Sequence, residues 1–188
     1  MIVERSNKGR AAPSPSIREV ARELRDDRGE SLYELSQRSR VLVVLLRHTG
    51  CTFCRQTLAE LARARAQIES MGVEIVVVGM SEDAGALRDF GARFGPSGVR
   101  WIADPDRRLY AALGIRKGSF AQLFGPRVVV AGLKGLARGL GVGRPSGDPF
   151  QMPGTAMIHR GEVVWKHAHR DAAECPDYCE LIAAAGST

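Results

Sequence analysis

Val41-Leu42-Val43-Val44-Leu45-Leu46-Arg47-His48-Thr49-Gly50-Cys51-Thr52-Phe53-Cys54-Arg55 is the stretch on which the reading of this chain turns. Its first six residues are apolar, rich in β-branched side chains and without polar alternation, the pattern of a strand buried on both faces of a parallel sheet. From Cys54 the apolar positions run Cys54, Leu58, Leu61, Ala64, Ile68 and Met71, stepping by three or four along one helical face, and Gly72 supplies the stop. Val73 to Val78 reads as a second buried strand. Strand, Cys-x-x-Cys, helix and strand make a βαβ unit, because parallel strands need such a crossover. The two cysteines then sit at the carboxyl end of a strand, where open α/β sheets place their chemistry.

That position favours a reactive thiol. A helix N-terminus presents unpaired N–H groups and a partial positive charge, which stabilise a thiolate over a thiol. A free cysteine is only about 3% thiolate at pH 7, whereas one whose pKa falls to about 7 is roughly half ionised. Arg47, Arg55 and His48 add positive charge nearby. Cys54 is in line with the buried stripe of the helix, while Cys51 stands at the first turn and off its centre. The pattern predicts Cys51 as the exposed attacking sulfur and Cys54 as the buried partner that resolves the mixed disulfide.

Two plainer readings compete. Cys175 and Cys179 could complete a zinc site with Cys51 and Cys54. Zinc knuckles, however, usually set Cys-x-x-Cys in a glycine-containing turn, and here Arg55-Gln56-Thr57-Leu58 runs straight into a helix. The pair could also be two unreactive core cysteines. Redox chemistry is the preferred reading, with no metal and no organic cofactor required.

At 188 residues, with 44% apolar and 26% charged residues, the chain is long enough for one soluble domain with an ample core. No run of about 18 apolar residues predicts a transmembrane helix. Met1 to Ser16 is polar and charged with no apolar stretch, so a secretory signal is not expected, and a cytoplasmic location is expected by default. In that compartment Cys-x-x-Cys is more often catalytic than a structural bridge. The net charge of +6 could suggest nucleic acid, but only 6% of residues are aromatic, too few for a stacking platform, and no nucleic-acid partner is expected.

Residues 1–15, with Pro13 and Pro15, read as a loose tail, and 16–188 as a single domain. Ile17 to Leu24 has helical spacing, Asp26-Asp27-Arg28-Gly29 is a turn, and Ser31 caps a small helix through Leu35. Ser81-Glu82-Asp83 opens a helix to about Phe94, and Val99 to Ile102 is a short strand. Asp104-Pro105 gives N-cap and first turn of a helix ending before Gly114. Thr155 to Ile158 and Glu162 to Ala168 flank Arg160-Gly161 as a hairpin, and a last helix runs from about Asp177 to Ala185. Residues 117–147 form an insertion rich in Leu, Val, Phe and Gly that could rest on a membrane surface or build an apolar substrate groove; a helical cover over the sheet is the preferred reading, and membrane contact is not expected.

This order is similar to the thioredoxin fold: a central mixed sheet flanked by helices, with a helical insertion before the C-terminal hairpin. Three motifs carry a closer resemblance. Arg47 to Arg55, then Ala103-Asp104-Pro105, then Gly147-Asp148-Pro149-Phe150-Gln151-Met152-Pro153-Gly154-Thr155 resemble the peroxiredoxin-like 2 branch of the AhpC/TSA family.

The resemblance implies a redox Cys-x-x-Cys at the peroxiredoxin active-site position, with Cys51 as nucleophile and Cys54 as resolver. It makes Pro153 the counterpart of the thioredoxin cis-proline, which would turn the backbone of Met152 toward the thiols to pair with an extended substrate. It implies a disulfide or peroxide substrate and an external thiol reductant. The chain also departs from its relatives. True peroxiredoxins carry a threonine three residues before the peroxidatic cysteine; here Cys51 stands at that position relative to Cys54, and His48 relative to Cys51. Thioredoxins carry a buried acid six residues before the first cysteine and a tryptophan just before it; Leu45 and Gly50 stand there. Thiol–disulfide exchange is therefore expected ahead of hydroperoxide reduction, and a non-catalytic redox-sensing or binding module is the reading from another class.

Cys175 and Cys179, four apart on the last helix, are candidate accessory thiols that could relay electrons, or an incidental pair. His48 is a candidate proton donor or acceptor beside the thiols. Alternation puts His167 and His169 on one strand face, where both read as surface residues.

Overall fold

The computed structural model describes residues 15–137, 139–141, 143 and 147–185. Of the expected tail, only Pro15 falls within them. Two short helices lead in, α1 (Ile17–Glu23) and α2 (Leu32–Arg38), each opened by a reciprocal capping box, Ser16 with Glu19 and Ser31 with Glu34. The strand β1 (Arg40–Leu45) follows, then the long helix α3 (Thr52–Ser70) and β2 (Val73–Gly79). Next come α4 (Ala84–Gly91), β3 (Arg100–Ala103) and α5 (Arg108–Ala112). The insertion supplies α6 (Phe120–Phe124) and α7 (Pro126–Ala137). The hairpin β4 (Gly154–His159) and β5 (Glu162–Ala168) and the helix α8 (Tyr178–Ala185) close the chain.

The five strands form one mixed sheet in the order β3-β2-β1-β4-β5. β1 pairs with β2 in parallel, Val43 opposite Val76, and with β4 antiparallel, Val43 opposite Ala156. β1 is thus central, which is why it has no polar alternation: Val41, Val43 and Leu45 pack into the layer of α1, α2 and α5, and Leu42, Val44 and Leu46 into the layer of α3 and α8. The edge strand β5 alternates exposed and half-buried residues instead. Its hairpin turns on Arg160 and Gly161, both at positive φ (52° and 75°), the geometry of a two-residue turn matched to strand twist.

Three expected boundaries shift. α2 runs on past Leu35 to Arg38. α4 begins after Asp83, whose carboxylate accepts from the Ala86 N–H, and ends at Gly91 rather than Phe94. Asp104 does cap α5, but from a distance: its carboxylate accepts the Arg108 and Leu109 N–H groups at 2.9 Å each, so the helix starts at Arg108 instead of at Pro105.

Candidate active site

After β1 the chain leaves the sheet with Leu46 still paired, its N–H donating to the Val78 carbonyl. The buried Tyr110 hydroxyl donates to the Leu46 carbonyl at 2.5 Å, fixing the point where the turn begins. The Cys51 N–H donates to the His48 carbonyl at 3.1 Å, and Cys51 becomes the N-cap of α3. The Arg47 N–H donates to Cys54 Sγ at 3.3 Å, so the turn folds back over the second cysteine. Cys54 is 3% exposed and belongs to the core layer of Leu58 and Leu61, as its place on the helical stripe requires.

Arg47 organises the site. It is 6% exposed, and its guanidinium donates to Cys51 Sγ at 3.5 Å, to the Gln151 carbonyl at 3.1 Å and to the Pro149 carbonyl. Among the described residues no carboxylate pairs with it. A buried guanidinium needs a partner for its charge, and the Cys51 sulfur is the group beside it that can carry a negative charge.

The two thiols are pushed apart electrostatically. The Cys51 pKa is lowered to about 6, first by the hydrogen bond from the Cys54 thiol, then by the Arg47 charge, against the opposing cost of burial. The Cys54 and Phe53 N–H groups add a smaller pull. No capping hydrogen bond reaches the Cys51 side chain, so these amides act as the dipoles of the helix N-terminus. Cys54 moves the other way: burial raises its pKa well above the ordinary value, and its hydrogen bond to Cys51 and the Cys51 charge raise it further.

Several expectations need correction. Cys51 is not exposed; it is 5% accessible. The insertion closes on the residues either side of it: the Gly143 N–H donates to the Gly50 carbonyl at 3.0 Å, and the Thr52 hydroxyl to the Gly141 carbonyl at 2.7 Å. Arg55 takes part in this cover, not in the thiol site. It donates to the Leu140 carbonyl and lies 4.8 Å above the centre of the Phe94 ring. His48 is half-buried, its Nδ1 has no hydrogen-bond partner, and burial followed by the Arg47 charge lowers its pKa to about 4. It is neutral at pH 7 and so is not a cation beside the thiols.

The Met152–Pro153 bond is trans, like every other peptide bond in the described residues. The reason lies in what holds Met152. Its N–H donates to the Arg116 carbonyl at 3.3 Å, and the Gly118 N–H donates to the Phe150 carbonyl at 2.8 Å. The segment is held extended by residues 116–118, with Lys117 bridged to Gln151, and continues directly into β4. The backbone expected to receive an extended substrate is already paired with the chain itself.

Cys175 and Cys179 line a cleft of about 700 Å³ between α3 and α8, with Glu60, Arg63 and Gln67 on its opposite wall. Burial and then the Glu60 carboxylate push the Cys175 pKa to about 11, so this thiol stays protonated at neutral pH. His169 is buried, not on the surface: Nε2 lies 3.4 Å from the Thr155 hydroxyl, and burial lowers its pKa to about 4. His167, half-buried, meets Glu174 at 3.0 Å. Among the described residues no group of three or more His, Cys, Asp or Glu is arranged to hold a metal ion.

Residue patterns missed two organisers. Asp148 pairs with Arg107 at 2.5 Å and Lys117 at 2.6 Å and caps the Phe150 N–H at 2.9 Å, setting the loop whose carbonyls hold Arg47. The buried Gln151 amide donates to the Ile115 carbonyl at 3.1 Å. Both stand in the Gly147 to Thr155 motif, which marked the segment without giving their roles.

Parallel β1–β3, an antiparallel hairpin on the other side of β1 and a Cys-x-x-Cys opening the helix after the central strand define a thioredoxin-fold protein. Residues 60–171 match the family described as AhpC/TSA antioxidant enzyme, which is more than half of the chain, and the chain belongs to that family. The matched segment starts after Cys54. The chain is 29% identical over 140 residues to Peroxiredoxin-like 2C of Bos taurus, covering 70% of this chain, and it spans 60 to 63% of the length of the curated relatives it matches. The bacterioferritin comigratory protein of Xanthomonas campestris, described for its alkyl peroxide reduction activity, superposes with a TM-score of 0.59 at 12% identity, over 87% of this chain and 89% of the other. A putative thiol:disulfide interchange protein DsbE from Chlorobium tepidum does so with 0.55 at 19%, over 86% and 90%. At these identities the likeness is one of fold.

Proposed function

We propose that this chain is a thiol–disulfide oxidoreductase of the cytoplasm in which Cys51 attacks and Cys54 resolves. The observation that supports it best is the opposite displacement of the two thiols: Cys51 is favoured as the thiolate beside Arg47, and Cys54 is kept protonated by burial and donates to it. With a thiolate pKa of about 6, Cys51 is ionised at neutral pH, and the thiolate is the nucleophile in exchange.

The Cys51 thiolate attacks one sulfur of a substrate disulfide, forms a mixed disulfide and expels the other substrate sulfur as a thiolate. Cys54 then loses its proton to that leaving group or to water and attacks Cys51. The second substrate thiol departs, and a Cys51–Cys54 disulfide remains. The substrate has gained two electrons, both from the protein; of the two protons on its product thiols, one comes from Cys54 and the other from solvent, because Cys51 starts as the thiolate. An external dithiol, or two molecules of a monothiol, returns the protein to its starting state.

Hydroperoxide reduction is the second reading, and family membership favours it. There the Cys51 thiolate attacks the terminal peroxide oxygen, the O–O bond breaks, and the alcohol leaves with a proton; Cys54 converts the sulfenic acid to the same disulfide and releases water. Arg47, within 3.5 Å of Cys51 Sγ, is placed to stabilise the departing alkoxide. A non-catalytic redox sensor is the third.

Turnover of a model disulfide and of hydrogen peroxide, with thioredoxin or glutathione as donor, separates them in the wild type, Cys51→Ser and Cys54→Ser. Loss of disulfide turnover in Cys51→Ser is expected. Full activity in that variant would overturn the assignment of the nucleophile, faster peroxide than disulfide turnover favours the second reading, and no turnover with either favours the sensor.

A further inference from the structure

Residues 116–147 contain six basic residues, Arg116, Lys117, Arg127, Lys134, Arg138 and Arg144, and no Asp or Glu. Taking these six from the 27 basic residues of the chain leaves a number equal to its 21 acidic ones, so the insertion with the adjoining Arg116 carries the whole net charge of +6. Lys117 and Arg127 meet Asp148 and Asp171 from outside the segment. Among the described residues Arg116 and Lys134 meet no carboxylate, and both are exposed.

The same segment packs in an inverted sense. α7 buries Val128 and Gly135, and a Cβ on Gly135 would lie 2.7 Å from the Thr52 methyl group, so a small residue is what lets the helix rest on the start of α3. Gly132 faces the Phe53 ring. The branched residues go outward: Val129, Val130, Leu133 and Leu136 are all about half exposed or more, and Leu133 is 62% exposed. On α6, Phe120 and Phe124 pack on each other, ring centres 4.9 Å apart, with Phe120 72% exposed. A helix normally turns its branched face inward. Six large apolar side chains on neighbouring exposed turns form a patch of the kind that marks an interaction surface.

We propose that this α6–α7 face docks on the headgroup layer of an anionic lipid bilayer. Exposed Phe, Val and Leu beside Lys134, which meets no carboxylate among the described residues, in a segment with basic residues and no acid, is the composition of interfacial elements, in which apolar burial and attraction to anionic lipid add. No helix among the described residues is long and apolar enough to cross a membrane, so the contact is peripheral. Charge argues against a second copy of the chain as occupant: two such faces would bring basic sets together with no acid from the segment to pair them. The sequence leaves a membrane-resting surface or an apolar groove open for this segment and favours a helical cover without membrane contact. The cover exists, but which of its faces points outward is a matter of packing. Since the inner face of α7 rests on Thr52, docking holds the Cys51 site one helix away from the lipid.

Cosedimentation of the reduced 188-residue chain with phosphatidylcholine vesicles, with and without phosphatidylglycerol, tests the proposal. Binding is expected only with the anionic lipid, and rising salt weakens it. Lys134→Ala lowers the vesicle partition constant about fivefold, the effect of one basic residue near such a surface. Val130→Glu with Leu133→Glu, both at exposed positions, lowers it by at least about tenfold. Leu133→Trp provides a readout that does not depend on loss, an emission blue shift on anionic vesicles. Equal binding to neutral vesicles, unchanged binding by the double variant, or no binding to either lipid overturns the proposal. A dimer in sedimentation velocity that the double variant dissolves, without vesicle binding, assigns the face to a second copy instead.

Discussion

The Arg47 guanidinium lies 3.5 Å from Cys51 Sγ, and both groups are buried. A guanidinium is always charged near neutral pH, so its burial is supported by the carbonyls of Pro149 and Gln151 and by a sulfur that can ionise. The burial of the Arg47 charge and the ionisation of Cys51 therefore support each other.

Replacing Arg47 with Met removes the charge and keeps much of the volume. The thiolate pKa of Cys51 should rise by about one to two units, as expected for loss of one close opposite charge. Thiolate ultraviolet absorbance against pH, with the other cysteines substituted one at a time, reads the midpoint. An unchanged midpoint sinks the pairing.

Cys54 acts on Cys51 mainly as a hydrogen-bond donor. Cys54→Ala should raise the Cys51 pKa above about 6, while Cys54→Ser, which retains an O–H donor, should leave it closer to the wild-type value. Both variants should accumulate the mixed disulfide with a substrate, visible by mass spectrometry. Equal Cys51 pKa values in the two variants would show that the donor is not what lowers it.

Buried neutral His169 should make the fold sensitive to acid. Its folded pKa, about 4, lies below the unfolded value of about 6.5. The stability it contributes is complete above pH 6.5 and is lost as pH falls from 6.5 through 4, on the order of 3 kcal/mol at the acid end. Urea denaturation should show a smaller loss of stability between pH 7 and pH 4.5 for His169→Met than for the wild type. His48, also held neutral with a pKa of about 4, contributes with the same sign.

The close approach of α7 to α3 at Gly135 should be what keeps Cys51 covered. Gly135→Val sets its side chain against Thr52 and should cost about 1–3 kcal/mol of stability. It should also speed alkylation of Cys51 by iodoacetamide several-fold at constant pH, followed by mass spectrometry. Slower or unchanged alkylation in a folded variant would mean that the cover opens elsewhere.

The β1-α3-β2 unit was legible because each part has a local signature. Val41 to Leu46 is apolar throughout, the stripe from Cys54 to Met71 has helical spacing, and Gly72 stands at the end at a φ of +71°. Ser31 announced its helix for the same reason, since a capping box is complete within four residues, and α1 showed in the helical spacing of Ile17 to Leu24. Asp148 and Gln151 could be marked but not given roles, since their partners, Arg107, Lys117 and Ile115, lie on other segments. His169 looked like a surface residue from strand alternation, which fails for it because β5 ends at Ala168 and the chain turns inward toward Thr155.

By itself the sequence determined that two thiols stand where a central parallel strand gives way to a helix, because strand, turn and helix are specified by neighbours in the chain. The order of Cys51 and Cys54 along that helix already gave them unequal places. Only the tertiary structure decided the environment of Cys51. Its charged neighbour is fixed by carbonyls about a hundred residues away, its cover is a glycine-rich segment more than eighty residues on, and the Met152 backbone expected to face it is paired with residues 116–118. Burial and electrostatics depend on which distant segments meet, and no local periodicity records that.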